Sequence, residues 1–283
     1  MQEVCAPALA GSAAALAALL LLYRRLLASR SPAEAWRRGR LLLASSVAAV
    51  LALGALFAPL SLDTVAAALP LVVVTQLLVA QFFDRRVVGE ALYGLNGRLH
   101  RVALIESATP TAFAVAVGGR VYASTALQAA LPPDEAAAVI AHEVGHREAL
   151  RPVPAAAALA AVAVSVAQAA EAVAELAAGG CPLGAAAVAA AAAAGWVLYN
   201  WAWEHLADTF SAAETGWAAA RALARITGAE PGPPPGALGL LAGILRSLRP
   251  RRSPGGAGLL VNPHPPAGLR LWLLARILEK TRE

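Results

Sequence analysis

Two histidines four residues apart, His142 and His146, lie in the segment His-Glu-Val-Gly-His. Positions i and i+4 of a helix lie about 40° apart around the axis, so both imidazoles face one point and can bind one metal ion. Glu143 lies about 100° around the helix from His142 and is poorly placed to bind the same ion. It can instead take a proton from a water beside that ion. The segment therefore predicts a hydrolytic metal site.

A third ligand is needed, because a catalytic zinc usually has three protein ligands and one water. His100, His205 and His264 are candidates, together with the acidic residues. Glu204 ends a long uncharged run and Asp208 lies four residues later on the same helix face. Glu204 can bind the metal, and Asp208 can hold a ligand imidazole by its second nitrogen. His205 points about 100° away and is interpreted as an interface or capping residue.

Short strands and one helix position these residues. The apolar segment 102–105 predicts a strand, and 112–117 predicts a second strand that ends at Gly118-Gly119 and pairs with 121–124 as a hairpin. The sequence Pro-Pro-Asp-Glu then predicts a helix start, since proline and acids favour the first turn. This helix is expected to run to about Ala149, before Pro152. A further helix is predicted over 204–227.

The composition indicates a membrane protein. Apolar residues make up 59% of the chain and charged residues 14%, against an ordinary charged share of about 25%. Each of five uncharged runs has about the length that crosses a bilayer as a helix. The last run is broken by Gly179, Gly180, Cys181 and Pro182, so its span begins near Leu183. The runs are 4–23, 41–62, 64–83, 152–170 and 176–203.

All 23 Lys and Arg residues lie in three segments, 24–40, 84–151 and 221–283. The positive-inside rule places these segments in the cytoplasm. Five buried helices of a large soluble core are the alternative, and the last two spans can also form a hairpin that only dips into the bilayer. Basic residues grouped between long uncharged runs do not form a surface for reading bases, so no nucleic-acid partner is expected.

The motifs together resemble a known family. The chain is similar to the membrane-integral zinc metalloproteases of the HtpX heat-shock type, which are related to the CAAX prenyl protease. HExxH at 142–146 is followed by ExxAD at 204–208 and HPxxxxR at 264–270, and Pro-Thr-Ala-Phe-Ala at 110–114 also matches. Position 111 is Thr, where the family commonly has Asn.

The resemblance implies one Zn²⁺ per chain and a role for each matching residue. His142, His146 and Glu204 would be the zinc ligands, and Glu143 would be the general base and then the acid. His264 would stabilise the oxyanion of the tetrahedral intermediate. Asp208 and Arg270 would support the site without binding the metal. Arg270 would anchor the C-terminal motif near Asp208.

The resemblance also implies that the strand 112–117 is the edge strand on which a substrate backbone is laid. Binding by strand addition reads little sequence, which suits an endopeptidase of broad specificity. The substrate-binding residues would be Ala112, Phe113, Ala114, Val115 and Ala116.

These inferences predict a mainly α, integral membrane protein with about five transmembrane helices. A cytoplasmic α+β, gluzincin-like zinc protease domain with a small edge-exposed β-sheet would carry the site. It would be a multi-pass protein of the cell membrane, cleaving misfolded or surplus membrane proteins; the alternative is a catalytically idle scaffold or pseudoprotease. The predicted segments are a membrane region (1–83), the first catalytic part (84–151), a transmembrane hairpin (152–203) and the second catalytic part (204–283).

Cys5 and Cys181 are both predicted on the extracytoplasmic side. They can form a disulfide if the first span packs beside the last two and the compartment is oxidising. The alternative is two unpaired small apolar residues.

Overall fold

A four-stranded sheet and the helices packed on it form the fold. The computed structural model describes residues 21, 24–43, 70, 73–74, 77–115, 119–149, 182–230, 250–252, 259–261 and 264–281. The sheet contains β1 (Val87–Leu95), β2 (Arg98–Ile105), β3 (Ala112–Val115) and β4 (Arg120–Ser124), in the order β1-β2-β4-β3. The helices are α1 (Thr125–Ala130), α2 (Pro133–Ala149), α3 (Pro182–Thr215), α4 (Trp217–Thr227) and α5 (Ala267–Glu279). A small second sheet pairs β5 (Pro250–Arg252) with β6 (Leu259–Val261).

The first hairpin, β1–β2, turns at Asn96-Gly97. Both residues have positive φ, 51° and 66°, which is the conformation of the two-residue turn that matches the twist of paired strands. The backbone N–H of Asn96 donates to Oε2 of Glu214, near the end of α3, at 2.7 Å. The sheet is thereby attached to α3 at its far corner. Sequence patterning did not predict β1.

The hairpin predicted from segments 112–117 and 121–124 is confirmed: β3 pairs antiparallel with β4. The predicted strand 102–105 is part of β2, which lies parallel to β4. The N–H of Thr111 donates to Oγ of Ser124 at 3.0 Å, and the N–H of Ser124 donates to the carbonyl of Thr111 at 2.9 Å. These bonds fix the start of β3. Among the described strands, β3 pairs with β4 alone and is an edge strand.

The two faces of the sheet have different coverings. On one face, Val102 and Val121 pack with Ile140 and Val144 of α2 in the main core. On the other face, Phe83 contacts Phe113 at a ring-centroid distance of 4.4 Å. The sheet therefore lies between α2 and the helical segment 77–84.

Helices α2 and α3 pack unusually closely. A Cβ at Gly145 would lie 3.0 Å from the Cα of Ala207 and 3.0 Å from the Cβ of Phe210. The hydroxyl of Ser211 donates to the carbonyl of Ala138 at 2.7 Å, which adds a buried bond between the two helices. This contact brings the two site helices together. Helix α5 packs across α3 and α4 through its apolar residues, Leu269, Leu271, Leu273, Leu274, Ile277 and Leu278.

Residues 24–43 also belong to this core. Residues 24–28 and 32–43 are helical, and Trp36 is buried with its ring edge-on to Phe210 of α3 at 4.9 Å. Leu26 and Leu43 are buried in the same cluster. The N-terminal part of the chain therefore contributes to the support of α3.

The prediction of an integral membrane protein with about five spans is contradicted. Among the residues that the structure describes, no helix combines the length and the apolar character needed to cross a bilayer. The predicted multi-pass location in the cell membrane, with a cytoplasmic active site, is contradicted by the same finding. In its place the structure has an α+β fold, in which helices and a small β-sheet share one core.

The physical reason is visible where predicted spans overlap the described residues. Leu43, from the run 41–62, and Trp201, from the run 176–203, are buried in the protein core. Phe83, from the run 64–83, packs on the sheet. The protein itself therefore covers part of the apolar surface of these runs, whereas Leu41, Leu77 and Phe82 from the same runs are exposed. Several predictions lie outside the described residues: the span 4–23 except residue 21, the span 152–170, and both cysteines.

Candidate active site

The two histidines of α2 meet one carboxylate of α3. Nε2 of His142 lies 3.4 Å from Oε2 of Glu204, and Nε2 of His146 lies 3.3 Å from Oε1 of the same carboxylate. One ligand atom from each of these three residues can be chosen so that all lie within 4.8 Å of one another. Because α2 presents positions i and i+4 on one face, both imidazoles reach the same point against α3.

An aspartate and an arginine support this cluster from behind. Nδ1 of His142 lies 2.9 Å from Oδ1 of Asp208, one turn along α3 from Glu204. Arg270 of α5 donates to both oxygens of Asp208, from Nε at 2.8 Å and from Nη2 at 2.6 Å. Its Nη1 lies 3.2 Å from Oε2 of Glu204. One guanidinium thus orients both acids, in the two-pronged geometry that favours arginine over lysine.

The charges in the site shift several pKa values. Burial alone would lower the pKa of His142, but the carboxylates of Asp208 and Glu204 outweigh it and raise that pKa to about 10. Burial would raise the pKa of Glu204, yet hydrogen bonds with His142, His146 and His264 hold it well below its usual value. Burial raises the pKa of Glu143, against the opposing effect of the two histidines. A carboxyl with a raised pKa suits a group that must accept and then release a proton.

The donor set fits a divalent metal ion. The Nε2 atoms of His142 and His146 lie 3.1 Å apart and face each other, an arrangement that an ion between them would satisfy. Oε2 of Glu204 is buried, and its neighbours at 3.2 Å (Nη1 of Arg270) and 3.4 Å (Nε2 of His142) do not complete a well-aligned hydrogen bond with it. Two imidazoles and one carboxylate form a common ligand set of catalytic metal sites in hydrolases.

Residues 84–277 match the family model described as Peptidase family M48. The chain belongs to peptidase family M48. This membership makes it a metallopeptidase, and the His142, His146 and Glu204 group fits the metal site that such a peptidase needs. The match covers the sheet, α2, α3, α4 and most of α5. Comparisons with curated proteins and with solved structures returned no match.

Of the other residues predicted for the site of this M48 peptidase, His264 contacts the cluster, and the strand residues lie in the sheet that packs on α2. Nδ1 of His264 lies 3.0 Å from Oε1 of Glu204, and its side chain is 53% exposed, at the rim of the site. Glu143 is half-buried and directly follows His142 on α2. Ala112 and Ala114 of β3 pack on the core that contains α2, and Phe113 points to the opposite face of the sheet. Ala116 lies outside the described residues.

His205, by contrast, is not part of the cluster. It is fully buried, and burial lowers its pKa to about 4, so it is a neutral core residue.

Two contacts at the site were not anticipated from the sequence. The ring of Trp203 stacks on His146 at a centroid distance of 6.2 Å and an interplanar angle of 24°. Arg147, directly after His146, contacts His100 on β2 and Gly119 in the turn before β4. Trp203 directly precedes Glu204 in the sequence, and this neighbourhood could have indicated its contact with the site. No sequence spacing connects Arg147 with residues so distant along the chain.

Proposed function

We propose that this M48 peptidase is a zinc-dependent endopeptidase that cuts polypeptides bound in an extended conformation. The observation that supports it most is the combination of the His142, His146 and Glu204 ligand group with Glu143 on the same helix. Two imidazoles and a carboxylate are a ligand set that catalytic zinc uses in peptidases. The motifs also favour the HtpX-type subgroup within the family.

Zinc, when bound, would polarise the scissile carbonyl and acidify a water. Glu143 would accept the proton of the attacking water and pass it to the departing amine, and its raised pKa favours both steps. His264 would donate a hydrogen bond to the oxyanion from the rim of the site. Asp208 would hold His142 through Nδ1, and Arg270 would hold Asp208.

The substrate backbone would add to β3. Its second edge has no partner strand among the described residues, and strand addition binds through main-chain groups rather than through particular side chains. Unfolded or surplus proteins, which offer extended segments, are therefore the proposed substrate class.

The test is cleavage of an unfolded protein such as casein by purified protein, with and without a chelator and added zinc. Wild type with zinc should cut, and the chelator should stop it. Glu143→Gln should retain about one zinc per chain and lose activity by about a thousandfold or more, because it removes the proton acceptor but no ligand.

Glu90→Gln is the matched control, since Glu90 is an exposed carboxylate on β1. It should cut like wild type. Equal cleavage by Glu143→Gln and wild type, or no cleavage by zinc-loaded wild type, would reject the proposal. A catalytically idle protein would give the second result.

A further inference from the structure

We propose that Arg147 is a positioning residue that holds the β3–β4 hairpin at a fixed distance from α2. The hairpin would bind the substrate, and α2 is the metal helix because it carries His142 and His146. This inference rests on the proposed function, in which β3 binds the substrate. Arg147 belongs to α2 and follows His146 directly in the sequence. It is not a ligand, and its guanidinium is directed toward the sheet.

The guanidinium of Arg147 contacts both the turn between β3 and β4 and a residue of β2. Nη1 donates to the carbonyl of Gly119, in the turn between β3 and β4, at 3.1 Å. Nη2 contacts Nδ1 of His100 on β2. The side chain also lies beside its neighbour Glu148, with Nη2 3.5 Å from Oε1. One side chain of the metal helix therefore reaches both halves of the sheet.

Gly119 is shaped to receive this side chain. Its φ is +60°, and a Cβ at this position would lie 3.3 Å from the Cδ of Arg147. The aliphatic part of Arg147 thus packs against the glycine while the guanidinium bonds its carbonyl. A side chain at 119 would be strained by the backbone and would press on Arg147.

His100 presents the matching acceptor. It is buried, and its Nε2 lies 3.1 Å from the carbonyl of Leu95, the last residue of β1. A carbonyl can only accept, so Nε2 carries the hydrogen and Nδ1 is left to accept from Arg147. The contact therefore continues from α2 through β2 to the end of β1.

Both ends of β3 are held by these bonds. Its start is fixed by the paired bonds between Thr111 and Ser124, within the sheet. Its far end leads into the turn that Arg147 holds against α2. Because α2 also carries His142 and His146, Arg147 sets the distance between the bound substrate backbone and the metal. Small displacements of this kind affect substrates that use the strand most.

The kinetic test measures cleavage of two substrates by zinc-loaded wild type, Arg147→Ala and Arg147→Lys. One substrate is a long fluorogenic peptide that can pair along β3, and the other is a short one that ends next to the scissile bond. Arg147→Ala should raise KM for the long peptide about tenfold with kcat within about twofold, because two charge-assisted bonds are lost. The short substrate should change less than about twofold, and Arg147→Lys should recover part of the loss, because lysine keeps the charge without the fork.

Arg101→Ala is the matched control. Arg101 lies on β2, is 73% exposed and pairs only loosely with Glu90, at 3.4 Å. It should behave like wild type with both substrates, and zinc content should be the same in all four proteins. Equal losses for the long and short substrates, or a fall in kcat with unchanged KM, would overturn the proposal.

Hydrogen exchange of the metal-free proteins gives a second readout that does not depend on cleavage. Amides of β3 and β4 should exchange faster in Arg147→Ala than in wild type and Arg101→Ala, and those of α3 should not change. Unchanged exchange in the hairpin would overturn the proposal. If zinc-loaded wild type cuts neither substrate, the proposed function fails, and the exchange result still decides whether Arg147 holds the hairpin.

Discussion

One carboxylate, Glu204, is the electrostatic centre of the site. Its two oxygens lie within 3.4 Å of His142, His146, His264 and Arg270. Three imidazoles and a guanidinium around one acid keep that acid ionised, and they also make the site sensitive to protonation. The pH dependence of the protein should therefore originate in the groups around this carboxylate.

Metal affinity should rise with pH. In the metal-free site the pKa of His142 is about 10, so near neutral pH this imidazole is protonated and must lose its proton to bind a metal. Affinity should increase about tenfold per pH unit between about pH 7 and 9 and level off near pH 10. Competition with a chromophoric chelator across this range measures it.

Asp208→Asn provides the control, because Asp208 is a main cause of the raised pKa of His142. In this variant the pKa of His142 should fall and the affinity should level off at a lower pH. A metal affinity that does not vary with pH in wild type would contradict the interpretation.

Gly145→Ala should destabilise the protein. Alanine is favoured over glycine in a helix by about 1 kcal/mol. At Gly145, however, the added Cβ would meet the backbone of Ala207 and Phe210 Cβ at 3.0 Å, so α2 and α3 must separate. We expect a net loss of about 1–2 kcal/mol in the free energy of unfolding, measured with denaturant, together with weaker metal binding.

Gly94→Ala is the comparison for that variant, since a Cβ at Gly94 meets nothing within 4 Å. It should change the free energy of unfolding by less than about 0.5 kcal/mol. Equal stability of Gly145→Ala and wild type would mean that the two helices can adjust without cost.

Local spacing explains how far the site could be predicted from the sequence. Helix geometry alone explains why His142 and His146 share one helix face. The same holds for Glu204 and Asp208. The contact of Arg270 with Glu204 and the contact of Arg147 with His100 do not, because they join residues far apart in sequence. Such contacts depend on how helices pack, which no local period encodes.

Among the elements, β1 was missed although a hairpin signal was present. Asn-Gly is the strongest short-range signal of a two-residue hairpin. The alternation that should accompany it is obscured in β1, because Val88 and Leu92 are apolar yet exposed. The run 176–203 was misassigned for another reason: α3 buries Val197 and Trp201 in the core, and composition alone does not separate such a helix from one that spans a bilayer.

Gly97→Ala should weaken the β1–β2 hairpin. Gly97 has φ of +66°, a conformation that costs an L-residue with a side chain about 1 kcal/mol. The variant should lose about that much stability in denaturant unfolding. Asn96→Gly is the control: it keeps the turn and the backbone bond to Glu214, so its loss should be smaller. A larger loss in the control would show that the Asn96 side chain matters more than the turn geometry.

The family match begins at residue 84, but the hydrophobic core includes residues that lie earlier in the sequence. Trp36 is buried against Phe210 of α3, a few residues after Glu204. Trp36→Ala should cost about 3–5 kcal/mol in the free energy of unfolding, because it leaves a large cavity beside α3. Thermal and denaturant unfolding would both measure it.

Leu99→Ala is the matching surface variant, since Leu99 is 74% exposed. It should change stability by less than about 0.5 kcal/mol. A small effect of Trp36→Ala would mean that residues 24–43 only rest on the catalytic core. A large effect would mean that a chain cut to the family boundary cannot keep its full stability.

The residues that could bind a metal ion come from two helices, α2 and α3, that a long stretch of chain separates. A bound ion would therefore act as a reversible cross-link between distant parts of the polypeptide. Like a disulfide, such a link restricts the unfolded chain by closing a long loop. Unlike a disulfide, its contribution follows mass action, and it grows with the logarithm of the free metal concentration once that exceeds the dissociation constant. Supply of the ion would then govern the stability of the folded protein as well as its chemistry.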